Sequence, residues 1–131
     1  MREENMRCGR FIKTKRLSDE RELTLKDLSD KLGVSLSMLS DIENGRRRPF
    51  DSDKIEIFCA FLNLTPEDKA LMYDLAAREK SEIPSDFEDT LMYTESGKIM
   101  RRAIRMTNEG LADEEDWRDF IRRLEKKKKE T

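Results

Sequence analysis

A chain of 131 residues, 43 % charged and 36 % hydrophobic, has room for one domain with a modest core or for a small domain with a helical appendage. Its apolar runs are a few residues long, against the roughly 20 that span a bilayer, and no apolar stretch follows the charged N-terminus as in a signal peptide, so a cytoplasmic location is expected. There is no histidine, and the two cysteines form no CxxC pair, so no catalytic residue, metal ligand or cofactor is expected and enzyme is the weakest functional class.

Periodicity is helical almost throughout. Phe11, Ile12, Lys15 and Arg16 mark a first helix that ends within residues 18–22. Thr24 is suited to cap a second, with Leu25, Leu28, Ser29 and Leu32 at i, i+3, i+4, i+7 spacing and Gly33 placed to end it in the left-handed region. Ser35 can cap a third helix over residues 36–44, with Leu39 and Ile42 inward and Gly45 closing it. Asp51 or Ser52 caps a fourth with Ile55, Phe58, Cys59 and Leu62 on one face, leaving Ile57 and Phe61 as a second apolar edge. Cys59 reads as a small buried hydrophobe. Thr65, Pro66, Glu67 and Asp68 combine cap, proline and first-turn acids for a fifth helix to about Arg78, carrying Leu71, Met72 and Leu75.

The polar, proline-containing residues 79–86 interrupt the pattern. The expected organisation is therefore a domain over residues 1–78, a linker over 79–86 and a helical region over 87–131. That last region holds three shorter patterns, marked by Phe87 and Leu91, by Met100, Ala103 and Ile104, and by Trp117, Phe120, Ile121 and Leu124 behind an Asp113 cap. The lysines at 126–129 suit the helix dipole and are expected to fray. The whole reads as all-α.

The run Leu23, Thr24, Leu25, Leu28, Ser29, Leu32, Gly33, Val34, Ser35, Ser37, Leu39, Ser40, Ile42, Glu43, Gly45 and Pro49 resembles the lambda-repressor-like (Cro/xenobiotic-response-element) helix-turn-helix family over roughly residues 9–76. Two helices crossing steeply through a short turn need a small residue on the first and glycine at the bend, and the second can then enter a major groove about 12 Å wide. The resemblance implies base contacts from Leu36, Ser37, Ser40, Asp41 and Arg47, and phosphate contacts from Thr24, Ser35, Asn44, Arg46 and Arg48. Leu36, Met38 or both could pack on thymine methyls, with core packing as the other reading of each. Two positions depart from the family: Leu25 stands where glutamine is frequent, and Asp41 puts a negative charge toward DNA, which suits a cytosine amino group or an arginine partner.

Residues 1–50 hold 12 Lys/Arg against 9 Asp/Glu and residues 51–100 hold 5 against 12, so a modest basic excess coincides with the motif. The expected function is a sequence-specific double-stranded DNA-binding transcriptional regulator, a homodimeric repressor of phage or mobile-element type acting on an inverted repeat. Two alternatives stand beside it: an antitoxin that represses its own operon, and a protein-binding inhibitor or adaptor working through the C-terminal helices. Ile57, Phe61, Trp117, Phe120 and Leu124 are the candidates for a dimer or partner interface, with a ligand pocket around Trp117 as another reading.

Overall fold

The computed structural model describes residues 6–131, which form eight helices and no strand. They are α1 (Cys8–Ser18), α2 (Leu25–Leu32), α3 (Leu36–Glu43), α4 (Ser52–Phe61), α5 (Pro66–Lys80), α6 (Glu88–Tyr93), α7 (Glu95–Asn108) and α8 (Glu114–Glu130). The chain divides into two compact units, one ending at Glu88 and one running from Asp89 to Thr131.

Local chemistry sets the helix starts. The hydroxyls of Thr24, Ser35 and Thr65 accept from the backbone N–H of Asp27, Met38 and Asp68 at 3.0, 3.1 and 3.1 Å, and the Asp51 carboxylate does the same for Lys54 at 3.0 Å. Each satisfies an N–H that the first helical turn leaves unpaired, a contribution of about 1 kcal/mol. Thr24 with Asp27, and Asp113 with Asp116, close reciprocal capping boxes. Gly33 ends α2 at φ 69°, where a side chain would be strained.

In the first unit, α1 packs on α3 and α5, α2 on α3 and α4, and α4 on α5. The enclosed core contains Phe11, Leu28, Leu39, Phe58 and Leu75 at 1 % exposure or less. The α4 stripe of Ile55, Phe58, Cys59 and Leu62 is buried as the periodicity requires, and Phe50, just before that helix, adds a ring 5.8 Å from Phe58. Leu25, at the family's frequent glutamine position, is half-buried against this core.

Two tight contacts tie α1 to α3. Gly9 lies so close to the end of α3 that a Cβ there would come within 2.1 Å of the Ile42 carbonyl oxygen. Arg16 donates through Nε and Nη2 to both Glu43 carboxylate oxygens at 2.8 and 3.0 Å, and through Nη1 to the Leu23 carbonyl at 3.0 Å. Both partners are buried, and the carboxylate raises the Arg16 pKa further above its ordinary value. The Glu43-x-Gly45 signature thus has a packing cause as well as a turn to make.

The second unit has a different character. Thr94 caps α7 by accepting from Gly97 N–H at 2.9 Å, and a Cβ at Gly97 would come within 2.2 Å of the Thr90 carbonyl oxygen of α6. Trp117 Nε1 donates to Thr107 Oγ1 at 2.9 Å, joining the end of α7 to the start of α8. No apolar side chain between Asp89 and Thr131 is buried. The lysines at 126–129, expected to fray, lie within α8, which stays helical to Glu130. An acidic first turn and cationic last turn both favour that helix's dipole.

Candidate nucleic-acid interface

The turn between α2 and α3 is built from small parts. Ser29 is buried at 2 % exposure where the helices cross, its carbonyl accepts from Val34 N–H at 3.1 Å, and Val34 packs partly against the core. Leu39 and Ile42 then pin the inner side of α3 and leave its opposite side to solvent. On that outer side stand Leu36, 48 % exposed, and Ser37, with Ser40 and Asp41 half-exposed beside them. Met38 turns inward, half-buried against the core. Of the two apolar residues left open between core and thymine methyls, the geometry gives Met38 to the core and leaves Leu36 outside.

The polar side chains of this face already hold one another. Ser35 serves as the α3 cap and lies 3.4 Å from Ser37 Oγ. Asn44 folds back so that its Nδ2 donates to the Ser40 carbonyl at 2.9 Å. Asp41 is met by Arg46 Nε at 3.3 Å, the arginine partner that its charge calls for. Thr24 is likewise occupied as the α2 cap. Of these contacts the exposed Asp41–Arg46 ion pair is worth little in water, whereas the caps contribute to the helix starts.

Three successive arginines follow α3, and they are not equivalent. Arg46 is engaged by Asp41, and Arg48 Nη2 lies 3.5 Å from Glu82 Oε1, whereas Arg47 is exposed with no carboxylate partner among the described residues. A free planar guanidinium is the group that fits the O6/N7 edge of guanine with two parallel hydrogen bonds.

Sequence reasoning missed a second cationic element. The outer side of α1 presents Arg10 and Lys13 beside Asn44 and Gly45, across a shallow groove of about 580 Å³. Arg7, at its rim, pairs with Glu79 at 3.4 Å, and Glu43 in its floor is neutralised by Arg16. Arg10 and Lys13 have no ion pair among the described residues, so the positive field of the motif extends along α1. Their spacing opposite Phe11 and Ile12 was the available signal.

Ile57 is exposed on α4. Phe61 is half-buried against the first unit's core, with Arg21 4.6 Å and Lys31 5.6 Å from its ring centre. Trp117 is half-exposed, edge-on to Phe120 at 6.4 Å, while Phe120 and Leu124 are each 42 % exposed. Burial pushes the thiols of Cys8 and Cys59 up to about 12 and about 11, so neither is a thiolate near neutral pH. Among the described residues, no helix is long and apolar enough to cross a membrane.

A helix-turn-helix family model matches residues 12–69, from within α1 to the first turn of α5. No curated protein and no solved structure matches the chain.

Proposed function

Because the N-terminal domain of this chain belongs to the lambda-repressor-like helix-turn-helix family, and so to DNA-binding transcriptional regulators, we propose that the protein is a dimeric repressor of phage or mobile-element type that reads a short inverted repeat. The observation that carries this reading is the outer face of α3, with Leu36 and Ser37 exposed at its N-terminal end and Arg47, which has no carboxylate partner among the described residues, following its C-terminal end. The α3 N-terminus brings a positive dipole and free N–H groups to the groove. Leu36, Ser37, Ser40, Asp41 and Arg47 meet base edges. Thr24, Ser35, Asn44, Arg46 and Arg48 hold phosphates, joined by Arg10 and Lys13 from α1.

In this reading residues 1–78 read DNA and residues 87–131 pair two copies, so that two recognition helices enter the major groove one turn apart, roughly 34 Å. Bound at an operator, the dimer blocks polymerase. Selection from a random duplex library, followed by fluorescence-anisotropy binding at two salt concentrations, tests it. One enriched inverted repeat, bound more weakly as salt rises, is expected. Weak binding without an enriched motif would overturn it.

The exposed apolar stripes of α7 and α8 favour a second reading, in which the C-terminal helices hold a different protein, as an antitoxin or adaptor does. An adaptor tolerates loss of Arg47, and a repressor does not.

A further inference from the structure

The second unit leaves its best-formed apolar surface uncovered. α8 is 17 residues long, and Trp117, Phe120, Ile121 and Leu124 recur along one side of it at i, i+3, i+4, i+7 spacing. Phe120, Ile121 and Leu124 are 42, 50 and 42 % exposed. The hydrogen bond from Trp117 to Thr107 ties the first turns of α8 to α7, and no side chain past Trp117 on α8 is even half-buried. In proteins most of a helix's stability comes from packing of its apolar side, and this side is uncovered.

The charge on the same helix says what covers it. Residues 113–119 hold five acids and one arginine, a balance of −4. Residues 120–131 hold six cations and two glutamates, a balance of +4. Glu114, Glu115 and Asp119 make ion pairs within the helix to Arg118 and Arg122, but the lysines at 126–129 have no carboxylate partner among the described residues. α7 offers no compensation, since it carries Lys98, Arg101, Arg102 and Arg105 against Glu95. A partner that complements the stripe along its whole length is acidic opposite the lysines at 126–129 and basic opposite the acidic turns.

We infer that the apolar stripe of α8 is the docking surface for a second copy of this chain, with the two α8 helices antiparallel about a two-fold axis near Phe120 and Ile121. An antiparallel copy supplies the required charge by construction. It sets the acidic half of each helix beside the lysines of the other, and the stripe is centred so that Trp117 of one lies toward Leu124 of its partner. A parallel pair would set like charge against like. The interface is isologous, as closed two-fold dimers require, and Met100 and Ile104 of α7 add exposed apolar area within the same unit. The contact rests on the dimeric part of the function proposed above and is independent of how the first unit meets DNA.

Sedimentation equilibrium of the intact chain tests it with three variants: Ile121→Asp; Glu115→Lys with Asp119→Lys; and Lys126→Glu with Lys127→Glu. The wild type is expected to be a dimer. Ile121→Asp raises its dissociation constant by on the order of 100-fold, and each charge variant raises it by on the order of 10-fold. An equimolar mixture of the two charge variants restores association as a one-to-one heterodimer, read by native mass spectrometry. A wild type that stays monomeric, a dimer that Ile121→Asp leaves intact, or a mixture that fails to pair would each overturn the inference. Circular dichroism of each variant separates loss of pairing from loss of helix, and wild-type binding to a single half-site tests the DNA reading separately.

Discussion

Between Phe11 and Leu75 the chain buries apolar side chains from each of its first five helices in one shared core, whereas between Asp89 and Thr131 Gly97 alone is buried and the aromatic and aliphatic residues of α7 and α8 face outward. Both regions have well-capped helices with clear apolar stripes, so local sequence quality does not separate them. The difference is closure. Five helices that pack on one another enclose a core, and α7 and α8, joined near one end, do not. The first unit holds α3 in place with its own residues, through buried Leu39 and Ile42 and the Arg16–Glu43 pair. The second unit leaves its apolar side chains exposed.

Substitutions sharpen that contrast. Phe58→Ala, in the middle of the first core, is expected to lower stability by about 3–5 kcal/mol through lost burial and a cavity, measured by urea unfolding. Glu43→Ala should cost a similar amount, about 3–5 kcal/mol, because it strands the buried Arg16 guanidinium. The double replacement Arg16→Met with Glu43→Leu should recover much of the loss, and failure to recover would mean that the pair positions α3 in a way apolar packing cannot. Thr24→Ala removes the cap of α2 and should cost about 1 kcal/mol. Phe120→Ala, by contrast, should leave thermal unfolding of the first unit within about 0.5 kcal/mol of wild type. A larger effect would break the comparison by showing that the first unit depends on α8.

The pH profile provides the mildest probe. Cap bonds hold the Asp27 and Asp51 carboxyls low, Lys69 and then Tyr73 hold Glu56 low, and Arg21 holds Asp19 at about 2. A depressed folded pKa contributes stability above the unfolded value, near 4, and that contribution is lost as pH falls through the folded one. The buried thiols act with the opposite sign. Their raised values favour the fold below about pH 9, and that advantage is lost as pH rises toward 11 and 12. With no histidine in the chain, urea unfolding midpoints should be flat between these limits, falling on both sides.

What the sequence made legible was local. The caps at Thr24, Ser35, Thr65 and Asp113, the glycine ends at 33 and 45, and the stripe of α4 each depend on residues within one or two turns, and the structure places them as the spacing requires. The Arg16–Glu43 pair spans 27 residues and no periodicity announces it. Gly9 was silent for the same reason, although a glycine inside a helix costs enough to signal a close approach. Leu36 and Met38 were indistinguishable in pattern because both lie off the Leu39 and Ile42 stripe, and only the packing of neighbouring helices decides which one is covered. The lysines of α8 misled local reasoning, since a like-charged run that suggests fraying also stabilises the C-terminal end of a helix dipole.

The most direct test of DNA reading is the affinity of Arg47→Ala for the selected operator and for each of its single-base variants. The account predicts a loss of about 1–3 kcal/mol on the operator, with discrimination relaxed at one symmetry-related base position and kept elsewhere. An unchanged affinity, or a uniform loss across all sequences, would contradict it.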